Sequence, residues 1–282
     1  MSEVPFTFSP GNLAAPGVDW LNKNFHPLFA GISTVVETVL SAVESALIAA
    51  PPAATVVVVV LLAWGVANWR VALLAACSLG FCWLMGLWTA SMQTIALVLV
   101  AVAASVAIAF PLGILASRDR RVERVLRPVL DVMQTVPPWV YLIPAVIVFS
   151  LGRVPALIAT VIYGVPPMLR LTTLALRQIP KPFLEMGHAV GATRGTILWK
   201  IELPSAKPTL LVGLNQCILL SLAMAVLAGL VGAGGLGSEV TRGLSRMELG
   251  LGLRAGLSIV AVALLLDRVS RAAIDRSPRR VR

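Results

Sequence analysis

FLEMGHAVGATRGTILWKIELPSAK, residues Phe183 to Lys207, separates two long apolar runs and is itself polar enough to lie outside a membrane. Pro182, just before it, suits the first turn of a helix, where a missing N–H has no partner to lose. Glu185 then falls in the first turn, where a carboxylate favours the positive end of the helix dipole. Gly191 is placed to end that helix, because glycine takes the left-handed conformation without steric cost. Thr193 can N-cap a second helix over residues 194–202, and Pro204 is expected to stop it. Two short helices turning on a glycine are therefore expected between two membrane spans.

The rest of the chain supports a membrane setting. Hydrophobic residues make up 58% of it, with a mean hydropathy of +0.89. Several apolar runs approach the roughly 20 residues that a span needs. The fold class is accordingly all-α: a polytopic helical membrane protein with about seven transmembrane helices and no sizeable soluble domain. Cys77, Cys82 and Cys217 lie inside apolar runs and are odd in number, which argues against a structural disulfide. The first residues lack a basic segment followed by an apolar core, so no cleavable signal peptide is expected.

Three segments follow from the pattern. Residues 1–52 form an extracytoplasmic N-terminal segment, loop-like to about residue 24 and then an amphipathic helix over 25–50. In that helix Glu37 and Glu44 share a face, so it is expected to lie at the interface and not to cross. Residues 53–266 form the transmembrane domain, with spans near 53–69, 71–88, 92–116, 129–151, 156–176, 209–231 and 251–266. The 177–208 loop belongs to that domain, and a glycine-rich loop is expected over 232–250. Pro166-Pro167 is expected to break the fifth span. Residues 267–282 form a basic tail. On this plan 18 of the 23 lysines and arginines fall on the same side as the 183–207 loop. Basic residues accumulate on the cytoplasmic side, so the N-terminus is expected outside and the C-terminus inside. That distribution also argues against nucleic acid as the partner of a net charge of +10.

Several chemistries are excluded or left without support. There is no G-x4-G-K-[ST], so no P-loop cradles a nucleotide. His26 and His188 lack companions at metal-ligand spacing, and no metal site or catalytic residue is expected. Asp131 is the one carboxylate candidate within a span, and it is expected to cap a helix or pair with Arg127 or Arg124. Pro137-Pro138 and Pro166-Pro167 free carbonyls that protein or a watery cavity must satisfy. Gln134, Thr135, Pro137, Asn215 and Gln216 near these breaks suit a path for a small polar solute, and hydrogen bonding between helices is the other reading. Trp139 and Tyr141 suit cation–π contact with a quaternary ammonium, or plain aromatic packing.

Glu185, Gly191, Ile201, Leu203 and Pro204 together make the pattern E-x5-G-x9-I-x-L-P. This resembles the cytoplasmic "EAA" loop of bacterial ATP-binding cassette importer permeases. Met186 and Gly187 stand where the family name has two alanines. MQTVPPWVYLIP, VIYGVPPMLRLT, GLNQCILLSLAMAVLAGLVGAGGLG and LLLDRVSRA further resemble the permeases of glycine betaine/proline betaine importers. The resemblance implies a type I importer permease fold in the bacterial inner membrane and a role in osmoprotection. It implies a homodimer, two copies of a separate ATPase subunit that bind ATP and Mg, and an extracytoplasmic substrate-binding protein. No cofactor is expected on this chain and no enzymatic activity. Choline, carnitine or an amino acid are the alternative solutes, and an ion-coupled secondary carrier is the alternative class.

Overall fold

A computed structural model describes residues 10–275, and the statements below concern those residues. The secondary structure is helical throughout, without strands. Twelve labels serve below: α1 Pro10–Ala49, α2 Pro52–Val66, α3 Trp69–Leu84, α4 Trp88–Arg118, α5 Arg120–Thr135, α6 Leu142–Phe149, α7 Arg153–Arg177, α8 Lys181–Ala189, α9 Arg194–Ile197, α10 Leu203–Leu227, α11 Gly235–Ser245 and α12 Leu249–Asp275. Among them, five segments are long and apolar enough to cross a membrane, or six if one sharply bent pair counts as a span.

The centre of the bundle is α4, α7 and α10, which pack along one another. Small residues permit the approach. An ideal Cβ on Gly113 of α4 would lie 2.6 Å from Thr172 Cβ of α7, and one on Gly164 of α7 would lie 2.8 Å from Ser105 Oγ of α4. Inside a membrane, where apolar burial gives helices little reason to associate, close backbone packing of this kind holds them together. Side-chain hydrogen bonds add to it: Ser105 Oγ donates to Val161 O at 3.1 Å and Thr173 Oγ1 to Gly113 O at 3.2 Å.

Several expected boundaries differ. Residues 10–24 are the first part of α1, where a loop was expected, while residues 1–9 lie outside the described part. Within α1 the stretch Lys23–Ala49 is long and apolar enough to span a membrane. It packs against α4, α6 and α7. Phe29 packs on Phe149, the last residue of α6, with ring centroids 5.6 Å apart. Glu37 and Glu44 both pair with Arg153, the first residue of α7. The first two expected spans are α2 and α3, of 15 and 16 residues. At 1.5 Å per residue they reach about 24 Å at most, short of a hydrocarbon core about 30 Å thick.

The fourth expected span is not straight. α5 and the segment Pro138–Phe149 are bent by 109°, because Pro137 and Pro138 cannot donate to the preceding turn and force extended backbone at Val136 and Pro137. By contrast, Pro166-Pro167 does not break the fifth span. α7 runs through both, with the two prolines buried among the neighbouring helices. The expected glycine-rich loop over 232–250 contains α11, entered through Gly234 and Gly235 at positive φ. The expected tail is helical as far as Asp275, and residues 276–282 lie outside the described part.

Candidate functional site

The 183–207 loop leaves α7 and returns into α10. Pro180 caps α8 and Pro182 is its second residue. Glu185 is the fifth residue, one place beyond the first turn where it was expected, and its side chain is exposed. Gly191 has φ +73°, the left-handed conformation expected of it. Its N–H bonds His188 O at 2.9 Å and the Ala192 N–H bonds Gly187 O at 3.0 Å. That pair of bonds is a Schellman motif, which satisfies carbonyls left open at the helix end. Thr193 caps α9 as expected, its Oγ1 accepting from Thr196 N at 3.3 Å.

Pro204 does not stop the second helix. After α9 the chain makes a π turn over Leu198–Glu202, in which Leu203 N–H bonds Leu198 O, and then continues directly into α10. The wider π spacing shifts the hydrogen-bond register ahead of the proline, so its missing N–H falls where a new helix begins. Leu203 and Pro204 are thus the first residues of α10, while Ile201 sits half-buried in the π turn.

The two loop helices are fixed to each other and to the bundle. Gly187 is buried where an ideal Cβ would lie 2.8 Å from Ile201 Cδ1 and 3.1 Å from Ile197 Cγ1, so no larger residue fits without a shift. A small apolar core of Ala175, Leu176, Ile179 and Ala206, with Phe183, Leu184 and Leu198 against it, ties the loop to the end of α7 and the start of α10. Outward the loop presents large apolar side chains: Met186 is 58% exposed, Val190 78% and Trp199 69%. Met186 therefore points away from the helix contact, which its place beside Gly187 left open in the sequence.

Glu202 was not singled out from the sequence. It is 1% exposed and pairs with Arg118, the last residue of α4. The available signal was a carboxylate set directly between Ile201 and Leu203. A cavity of about 550 Å³ adjoins the pair, lined by Ile114, Leu184, His188, Arg194 and Leu198.

The candidate path residues fall in two places. Gln134 and Thr135 end α5, Pro137 lies in the link, and exposed Trp139 and half-buried Tyr141 follow it, so all five sit at the 109° bend. Tyr141 Oη closes the bend by donating to Met133 O at 2.7 Å, and its ring lies 6.4 Å from that of Tyr163. Asn215 is elsewhere. It is buried against α12, where its amide donates to Asp267 Oδ1 at 3.4 Å and its oxygen accepts from Ser270 Oγ. That is the helix-to-helix reading of Asn215; Gln216, beside it, is exposed. Asp131 pairs with Arg170 of α7, not with Arg124 or Arg127 on its own helix.

A bundle of membrane-length apolar helices with a two-helix loop bedded against the end of α7 and the start of α10 describes a permease of a binding-protein-dependent importer. The chain belongs to that family: residues 109–282 match the model of the binding-protein-dependent transport system inner membrane component. It is 38% identical over 256 residues to the glycine betaine/proline betaine transport system permease protein ProW of Escherichia coli, covering 91% of this chain and 72% of that one. It is 38% identical over 254 residues to the glycine betaine transport system permease protein OpuAB of Bacillus subtilis, covering 90% of each. The glycine betaine/carnitine transport permease protein GbuB of Listeria monocytogenes is 36% identical over 270 residues, covering 91% of this chain and 95% of that one. Among solved structures, the inward-facing MetNI methionine ABC transporter aligns with a TM-score of 0.61 at 21% identity, over 68% of this chain and 96% of that one. The chain is thus a multi-pass membrane protein of the importer permease fold.

Proposed function

We propose that this chain is the translocation subunit of an ATP-driven importer in the bacterial inner membrane, carrying glycine betaine, proline betaine or a related quaternary-amine osmolyte. Two copies form the pathway, and each receives one separate ATPase subunit on the 183–207 loop. ATP and Mg are held by that subunit, and an extracytoplasmic binding protein delivers the solute. This chain makes and breaks no covalent bond. The N-terminal segment and α1 lie on the outer side and the C-terminus on the inner side.

The observation that carries the proposal is the loop itself. Its backbone is fixed by the Schellman turn at Gly191 and by burial of Gly187, yet Met186, Val190 and Trp199 are left uncovered. A rigid element that exposes large apolar side chains outside the membrane is built to be covered by a partner. Gln134, Thr135, Pro137, Trp139 and Tyr141 at the bend are the candidate path. The π faces of Trp139 and Tyr141 suit a quaternary ammonium.

The test is uptake of radiolabelled glycine betaine by the permease and its ATPase in liposomes, with binding protein on the outside. Uptake that requires ATP and the binding protein, and that betaines compete for best, is the expected result. Uptake driven by a sodium or proton gradient without ATP would overturn it. Preferential competition by choline, carnitine or an amino acid would replace the solute and leave the importer class standing.

A further inference from the structure

The loop has a third attachment to the bundle besides its two chain connections. α7 enters it and α10 leaves it, but Glu202 in the π turn reaches Arg118 at the inner end of α4. The carboxylate is 1% exposed, whereas half of the Arg118 side chain remains accessible. Removing an ionised carboxylate from water is costly unless it is paired and hydrogen-bonded. π turns, for their part, are rare and are found frequently at functional sites. A buried charge and an irregular turn in the same five residues are therefore a costly combination for a passive hairpin.

α4 carries side-chain contacts from this loop to the first turn of α11 at the opposite end of the bundle. It has 31 residues, about 46 Å at 1.5 Å per residue, and it stays helical through Pro111. At its inner end Arg118 holds Glu202. Along its length it is bolted to α7 by Thr173 to Gly113 O and by Arg177 Nη2 to Ala116 O at 2.7 Å. At its outer end Gln93 Oε1 accepts from Gly235 N and Thr94 Oγ1 from Leu236 N, both at 2.9 Å, which fixes the first turn of α11. Gln93 Nε2 donates to Glu44 Oε1 of α1 at 2.9 Å.

We propose that Glu202 and Arg118 are positioning residues for transport, transmitting movement of the docking loop to α4 and through Gln93 and Thr94 to the start of α11. The proposal rests on the loop being the ATPase docking site. It adds that docking alone is insufficient. Without the Glu202–Arg118 pair, the loop still binds and activates the ATPase, but its movement reaches α4 only indirectly, through α7 and apolar packing.

The experiment uses the assembled transporter in liposomes and compares Glu202→Gln, Glu202→Leu, Arg118→Leu, Glu202→Leu with Arg118→Leu, and Thr94→Val. Co-purification with the ATPase, ATP hydrolysis and solute uptake are measured on each. The expected result is normal co-purification and hydrolysis within about twofold of wild type. Uptake per ATP falls roughly five- to tenfold in Glu202→Leu, the lower part of the usual range for coupling between two sites. Glu202→Gln, which keeps an acceptor, loses less. Arg118→Leu repeats the loss but leaves the buried Glu202 carboxylate unpaired, so the double variant, which buries no unpaired charge, carries the test where either single variant assembles poorly. The double variant is no worse than either single one, because the two residues act as one unit. Thr94→Val shows the same loss with docking intact. Normal uptake per ATP in Arg118→Leu, or losses that add in the double variant, would overturn the pair as a transmitting element, and normal uptake in Thr94→Val would overturn the outer half. A wild-type loop that fails to bind the ATPase at all is a separate outcome, and it removes the docking role itself.

Discussion

Gly191 offers the sharpest test of the docking loop, because structure and chemistry there separate two costs. At φ +73° an L side chain is strained, yet an ideal Cβ meets no atom of this chain within 4 Å. The penalty inside the permease is therefore conformational alone, about 1–2 kcal/mol for a residue with a Cβ. A shift of that size changes a local equilibrium by a factor of roughly 5–30, enough to unmake the Schellman turn in much of the population. It does not reach the bundle, since Gly191 is exposed and lies outside the spanning helices. Gly191→Val is expected to insert and dimerise normally while losing at least about tenfold in solute-stimulated ATP hydrolysis and uptake. Gly191→Asn tolerates the left-handed conformation better and is expected to fall between Val and wild type. If Asn is as inactive as Val, close approach of the partner and not the turn is limiting. Glu185→Ala is expected to show a milder loss, because it removes one exposed carboxylate and leaves the turn intact. A Gly191→Val permease that assembled with its ATPase and transported normally would refute the reasoning and reduce the loop to a surface hairpin.

Three further outcomes are expected. Gly113→Val places a side chain against Thr172, and overpacking of this kind costs about 1–3 kcal/mol; thermal unfolding of the purified chain should shift down, while Gly250→Ala, with nothing within 4 Å of its Cβ, should not move it. Arg153→Ala leaves Glu37 and Glu44 without their cationic partner, and disulfide trapping between cysteines at Phe29 and Phe149 should become slower as α1 loosens from the bundle. On orientation, a cysteine at exposed Ser245 should react with an impermeant reagent from outside intact cells and one at exposed Lys181 should not; the reverse pattern would invert the topology.

Local chemistry alone determined the turn at the middle of the 183–207 loop. Gly191 is left-handed and Thr193 caps α9, because both are decided within a few residues by backbone sterics and a short hydrogen bond. Composition likewise determined the all-helical membrane fold, since lipid satisfies no backbone groups and leaves the chain few alternatives. What depended on neighbours was decided only in three dimensions. Pro204 looked like a stop, but a π turn upstream absorbs it, and that turn places Glu202 at Arg118, 84 positions away. Pro166-Pro167 looked like a break, but burial among neighbouring helices keeps α7 continuous, while the exposed Pro137 and its partner bend the chain through 109°. The same dipeptide thus has opposite outcomes according to its packing. Asp131 found Arg170 on α7, and Asn215 found Asp267 and Ser270 on α12. A polar side chain in a membrane bundle takes whichever partner the fold brings near, and sequence spacing does not encode that choice.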